Sequence, residues 1–309
     1  MKFWVGVTDH EWYRFLAGLK PDEVNFWQPS AGRMPVRLAP GAPFLFKLHA
    51  AEGGGIVGGG FFAHYTVFPV RMAWDAFEEK NGAATLSEMI TRIARYRRRS
   101  VDADTHQIGC FVLVQPFFFP EPDWIAAPTA WAPNIVQGRS YDSETGEGRE
   151  LWERVRMFID GPSREAPEPI QLSEDAPRYG APALVRPRLG QGAFRLVVTD
   201  AYERRCAVTG ERTLPALEAA HVKPFSQSGP HDVANGLLLR KDLHALFDRG
   251  YLTVTPEWRV RISRRIREEF ENGRDYYALE SRILRSPASG YPPPQREYLE
   301  WHGDMVFKS

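Results

Sequence analysis

The stretch CAVTGERTLPALEAAHVKPFSQSGPHDVANGLLLRKDLHALFDRGYLTV, residues 206–254, constrains this chain more than any other. Residues 216–222 read as a short strand carrying His221 near its end. A loop over 223–234, rich in Ser, Gly, Pro and Asp, returns the chain to a second apolar run at 236–239. A helix is predicted over 241–249, with Leu243, Leu246 and Phe247 on its buried side. His244 and Asp248 stand at i and i+4 and share another face, and Gly250 is a natural stop. The order is strand, loop, strand, helix.

Such an order can set a strand-end imidazole beside a helix-borne one across a small cleft. Hydrolysis of a phosphodiester needs a group that deprotonates water and a cation that stabilises the leaving oxygen. A histidine near its ordinary pKa serves the first need at neutral pH, and a divalent metal serves the second. In these residues the block resembles the HNH (ββα-metal) endonuclease family. The matching branch has a C-x-x-T-G opening, an A-A-H strand end, an N-G-L turn and a D-L-H-x-L-F-D-x-G helix, and all four occur here in order. The likeness spans 194–254, with support from the tail YLEWHGDMVF, 298–307.

The resemblance implies that His221 is the general base and His244 a metal ligand, while Asn235 either fixes the loop through its amide or enters the metal shell. Asp248 is either a second ligand or half of a surface pair with Arg249, and Glu218 is a weaker candidate. Two departures stand out. Many family members carry a ligand directly before the base, where this chain has Ala220, and many carry paired Cys-x-x-Cys knuckles, where only Cys206 is present. His231 reads as a solvent-exposed loop residue. One divalent metal is implied, Mg2+ or Mn2+, and a mixed imidazole and oxygen ligand set also admits Co2+ or Ni2+.

At 309 residues the chain exceeds the usual single-domain size, so two domains are expected. Residues 1–160 read as an α+β module with short β-type runs at 3–7, 44–48, 56–62 and 109–115 and one helix over 86–98. Turns at Gly53-Gly54-Gly55 and Gly58-Gly59-Gly60 suit a small barrel or strongly curved sheet with peripheral helices. Residues 161–192, dense in proline, read as a linker, and 193–309 as the second domain.

Most tryptophans of the first module read as core. Phe26-Trp27-Gln28-Pro29-Ser30 differs, because an aromatic ring sits beside hydrogen-bonding side chains in an expected loop, a pair able to stack on a base and bond its edge. The runs MKFWVGVT, VNFWQPS, PFLFKLH and IVGGGFFAHYTVF resemble the PUA-like superfamily over about residues 1–155; its EVE and SRA members hold modified or extruded bases. That likeness implies a curved barrel with a base pocket. Trp27, Gln28 and Ser30 are the first candidates for it, and Trp131, Asn134, Gln137 and Tyr141 the second.

Composition narrows the classes further. With 43% hydrophobic and 25% charged residues and no apolar run of membrane length, the chain reads as a folded protein with no membrane partner. Its start lacks a secretory apolar region, which gives a cytoplasmic expectation. Cys110 and Cys206 cannot by themselves make a four-thiolate zinc site and read as buried, reduced thiols. Net charge is zero, yet residues 186–285 hold 18 Lys and Arg against 13 Asp and Glu, which suits a surface for the phosphate backbone.

Joined, the two resemblances imply a modification-dependent restriction endonuclease directed at modified phage DNA. It would bind double-stranded DNA, flip out 5-methyl- or 5-hydroxymethylcytosine or a glucosylated relative, and cut nearby with one divalent metal. One such site cuts one strand, so a homodimer is the simplest route to double-strand breaks. Two alternatives stay open: an HNH nuclease acting on unmodified DNA or RNA, and a catalytically inactive nucleic-acid-binding protein, which Ala220 makes conceivable.

Overall fold

In the computed structural model, which describes residues 1–32, 34, 37–132, 134–160 and 189–309, the chain forms two units, 1–73 with 78–160 and 74–77 with 189–309. Most of the segment read as a linker, 161–188, lies outside the described residues. Both halves mix helices and strands, as the α+β reading expects.

The N-terminal half contains, in chain order, β1 (Lys2–Thr8), α1 (His10–Leu19), β2 (Glu23–Gln28), β3 (Pro43–Leu48), β4 (Ile56–Pro69), α2 (Val70–Phe77), α3 (Leu86–Arg97), β5 (Gln107–Phe118), β6 (Gly138–Asp142) and α4 (Gly146–Ile159). Successive side chains of a strand point to opposite faces. Trp4, Phe44 and Phe46 accordingly pack with Trp12 and Leu16 of α1, while Phe3, Val5 and Leu45 pack with Leu151 and Val155 of α4. Burial on both sides is why β1 and β3 read as unbroken apolar runs rather than alternating ones.

Six strands form one sheet in the order β2-β5-β4-β3-β1-β6, with β1 and β3 parallel and the other pairs antiparallel. The expected barrel is not closed among the described residues, because β2 and β6 are left as edges. Helices cover both faces, so the sheet buries its apolar surface without closing on itself. Gly58-Gly59-Gly60, expected as a turn, lies inside β4. A Cβ at Gly59 would stand 2.7 Å from the Phe117 ring and 2.8 Å from the Phe44 carbonyl oxygen, so only glycine lets the strands crowd there. β4 shifts register against β5 at this point and again between Phe62 and His64. Phe26, Trp27 and Gln28 are not loop residues either: they end β2, opposite Phe111, Cys110 and Gly109.

The C-terminal half contains α5 (Gln191–Ala201), β7 (Leu217–His221), β8 (Gly236–Arg240), α6 (Lys241–Asp248), β9 (Leu252–Val254), β10 (Val260–Ile262), α7 (Arg265–Phe270), α8 (Arg274–Tyr277) and α9 (Arg296–Met305). β7 and β8 pair antiparallel from Leu217 opposite Arg240 to His221 opposite Gly236, and α6 follows without a loop. Phe194 and Val198 of α5, Ala220 and Leu237 of the hairpin, and Leu243 and Phe247 of α6 share one core, which Leu252 and Leu299 extend. Cys110 and Cys206 are buried and not joined in a disulfide, and no described helix is long and apolar enough to cross a membrane.

Gly82 offers a test of the first core. Its φ is +82°, and a Cβ there would stand 2.1 Å from Cδ1 of the buried Trp12. Gly82→Ala is expected to lower the unfolding free energy by about 2–4 kcal/mol, through overpacking and the left-handed backbone together. Urea titration followed by tryptophan fluorescence checks this; an unchanged midpoint would contradict the packing described.

Candidate active site

The β7–β8 hairpin is held open at its tip by one buried side chain. Asn235 is fully buried; its Oδ1 accepts from the Lys223 amide at 2.8 Å, and its Nδ2 donates to the Lys223 and Pro230 carbonyls at 2.9 Å each. Asp232 accepts from the Ala234 amide at 2.8 Å and caps the short turn before β8. Of the two roles open to Asn235, this geometry is the loop-fixing one, since both ends of its amide are engaged with backbone.

His221 leaves the end of β7 and lies flat on Phe194 of α5, with ring centroids 3.8 Å apart and an 11° interplanar angle. Its Nε2 is 2.9 Å from Nδ1 of His231, whose ring in turn stacks on Phe225 at 4.5 Å. His231 is therefore not a solvent-exposed bystander; it is half-buried against His221. Burial first, then the neighbouring His231, His244 and Arg195, pushes the His221 pKa down to about 4. At neutral pH the ring is uncharged and has a lone pair to offer.

His244 projects from α6 between two carboxylates. Nδ1 lies 3.0 Å from Glu218 Oε2 on β7, and Nε2 lies 3.3 Å from Asp248 Oδ2 one turn further along the helix. Glu218 also meets Lys241 at 3.8 Å. The i, i+4 spacing thus does bring Asp248 to His244. The protein around it pushes the Asp248 carboxyl upward, but with 58% of the side chain exposed at the rim, water screens that effect. A cavity of about 270 Å³ joins these groups, lined by Arg195, His221, Phe225, His244, Asp248 and His302 among others.

HNH nucleases use a divalent metal, and the donors here can be tested against that need. Ala220 is wholly buried in the core, so its position in this hairpin turns away from the cavity. No group of three or more His, Cys, Asp or Glu with metal-holding geometry occurs among the described residues. What is present is one imidazole and one carboxylate on a shared helical face, with a second carboxylate behind the imidazole. That set fits a hard divalent ion that keeps several of its waters.

His302 escaped the sequence reading because its partners lie about fifty residues away. It is 2% exposed, stacks on Phe247 at 3.7 Å, donates from Nε2 to the Phe247 carbonyl at 3.1 Å and accepts at Nδ1 from Thr253 Oγ1 at 2.8 Å. It thereby ties α9 to the end of the helix that carries His244 and Asp248. Burial pushes its pKa down to about 4.

The first unit holds a second cavity, about 500 Å³. Trp27, Gln28, Ser30 and Gln137 line it together; Trp131, Asn134 and Tyr141 do not. Tyr141 instead stacks on Phe3 in the core, and the Trp131 ring lies under Lys47 Nζ. Asp9, His49 and Tyr96 line the cavity and were not expected there. Asp9 caps α1 through the Trp12 amide at 2.7 Å and accepts from the Tyr96 hydroxyl at 2.8 Å, while Tyr96 meets the edge of Trp27 at 6.1 Å.

Comparison with known proteins agrees with the hairpin-and-helix geometry. Residues 206–255 match the HNH endonuclease family, so the chain carries an HNH endonuclease domain, a phosphodiester hydrolase module. No curated protein matches the chain. Among solved structures, a mutant of the ZmASCH protein from Zymomonas mobilis is similar at 14% identity and a TM-score of 0.35, over 50% of this chain and 98% of that one. The modification-dependent TagI restriction endonuclease is similar at 14% identity and a TM-score of 0.27, over 92% of this chain and 75% of that one.

Both His221 and His302 make stability depend on pH. Above pH 6.5 they are neutral whether the chain is folded or not. Between 6.5 and about 4 the unfolded chain takes up protons that the folded chain refuses, so stability falls as pH drops through that window. For the buried His302 the loss is on the order of 3 kcal/mol. Unfolding free energies measured from pH 7 to 4 should show this fall, and His302→Gln, which cannot titrate, should show a shallower one; equal slopes would contradict the burial described.

Proposed function

We propose that the chain is a DNA endonuclease that hydrolyses a phosphodiester at the His221–His244 cavity, and that its N-terminal cavity selects duplexes by holding a modified cytosine turned out of the stack. The observation that carries the catalytic half is that His221 lines the same cavity as the His244–Asp248 pair, within a match to the HNH endonuclease family.

In this reading His221 removes a proton from water, a step worth about 10²–10⁴-fold in rate. His244 and Asp248 would hold the divalent ion, with Glu218 fixing the orientation of the imidazole from behind. When bound, the ion supplies positive charge for the scissile phosphate and the leaving oxygen. Arg195, on the same cavity, adds attraction for the phosphate. Asn235 keeps the loop in register. A homodimer would supply the second cut needed for a double-strand break.

The selective half is supported by the chemistry of the N-terminal cavity. Trp27 and Tyr96 offer aromatic surface, and Gln28, Ser30, Asp9 and Gln137 offer hydrogen-bonding groups around it. An extruded base needs both, a face to stack on and an edge to pair with. Modified cytosine, 5-methyl or 5-hydroxymethyl, is the ligand class proposed.

Cleavage of matched duplexes containing cytosine, 5-methylcytosine, 5-hydroxymethylcytosine or its glucosylated form tests the proposal, with Mg2+ or Mn2+ and an EDTA control. Metal-dependent cutting confined to modified duplexes is expected. Trp27→Ala should reduce the preference for modified over plain duplex by about tenfold or more, since stacking on one base is worth about 1–3 kcal/mol. Equal cutting of all four duplexes would overturn the selective half, and no cutting of any of them the catalytic half.

A further inference from the structure

The base in the cavity is one of two imidazoles that share a hydrogen bond, and a shared proton has consequences for which nitrogen can act. His221 Nε2 and His231 Nδ1 are 2.9 Å apart. With both rings neutral only two arrangements exist. If His231 donates, the His221 proton sits on Nδ1, and His221 has no lone pair for the cavity. If His221 donates, its Nδ1 carries the lone pair and the ring can take a proton from water. The identity of the donor therefore decides whether His221 is a base at all.

The surroundings are built to hold this pair. Each ring lies flat on a phenylalanine, His221 on Phe194 and His231 on Phe225, with interplanar angles of 11° and 8°. His231 is placed from both sides along the chain. Asn235 bonds the carbonyl of Pro230, the residue before it, and Asp232, the residue after it, caps the next turn. The buried amide that pins the loop thus also delivers His231 to His221. Around His221 stand Arg195 from α5 and His244 from α6, and with His231 they disfavour a lasting positive charge on its ring.

We propose that His231 is the positioning partner and proton acceptor of His221, so that the two act as a base dyad; this rests on the nuclease reading of the cavity. His221 holds its Nε2–H against His231 Nδ1 and keeps Nδ1 open. When a water O–H bond breaks, its proton bonds to His221 Nδ1, and the hydroxide oxygen keeps the electron pair for attack on phosphorus. The proton on His221 Nε2 then moves to His231 Nδ1. His221 is neutral while His231 carries the charge as an imidazolium; after the cut the proton returns from His231 Nδ1 to His221 Nε2 and His221 Nδ1 releases the proton taken from water, which restores the starting tautomers.

Two variants separate orientation from relay. His231→Ala removes both, whereas His231→Asn keeps an oxygen that can accept from His221 Nε2–H but cannot carry the proton on. The full chain, labelled with 15N-histidine, is read by long-range 1H–15N correlation of the ring nitrogens, and single-turnover cleavage and duplex affinity are measured alongside. In the wild type, His221 is expected to be protonated at Nε2 alone. His231→Ala is expected to populate both tautomers and to lose about 10–100-fold in cleavage rate at unchanged duplex affinity, with partial rescue by free imidazole. His231→Asn should keep the Nε2–H tautomer yet remain slow. A mixture of tautomers in the wild type, or tautomers and rate both unchanged in His231→Ala, would overturn the dyad. A wild type that keeps the Nε2–H tautomer but cuts no duplex would defeat the nuclease reading while supporting the orienting contact, so the two failures are told apart.

Discussion

The amide of Asn235 is the interaction on which the cavity depends. A loop between two short strands has few backbone partners of its own, and its conformation must be imposed by something buried. Asn235 does this with three hydrogen bonds from a site with no solvent exposure, where each unmet partner would cost about 1–3 kcal/mol. By closing on Lys223 and Pro230 it fixes the exit from β7, where His221 stands, and the return to β8. Everything chemical in the second unit follows from that closure: the direction of His221, the arrival of His231 and the mouth of the cavity.

A second constraint acts on the helix. α6 is short, eight residues, and a helix of that length is marginal without tertiary support. Leu243 and Phe247 root it in the core, and His302 secures its end through the Phe247 carbonyl. Packing rather than helix propensity thereby holds His244 and Asp248 on the cavity that His221 lines. Burial supplies the electrostatics: an imidazole flattened on Phe194 with Arg195 close by resists protonation, and that keeps its lone pair available at neutral pH.

Much of this was legible in the order of residues. The strand-loop-strand-helix reading of 206–254, the i, i+4 relation of His244 and Asp248, and the burial of Cys206 needed only periodicity and turn chemistry. The choice between two roles for Asn235 did not, because it turns on where the amide points. His231 and His302 were missed for the same reason: their partners are set by loop closure and by a helix from the distant tail. In the first unit, β1, β3, the start of β4, the middle of β5 and α3 were readable, whereas α1 and α4 were not noticed, although Trp12 with Leu16 and Leu151 with Val155 are i, i+4 apolar pairs. Glycine misled twice over, since Gly58-Gly59-Gly60 marks a crowded strand crossing rather than a turn, and among the described residues the sheet it serves stays open under its helices.

Single-turnover cleavage of a duplex saturated with the full chain, compared between wild type and His221→Ala with affinity measured separately, bears most directly on the account. A fall of about 10²–10⁴-fold in rate at unchanged Kd is expected if His221 takes the proton from water. Wild-type cutting by His221→Ala would contradict it, and would move the chemistry away from the cavity that the hairpin and α6 enclose.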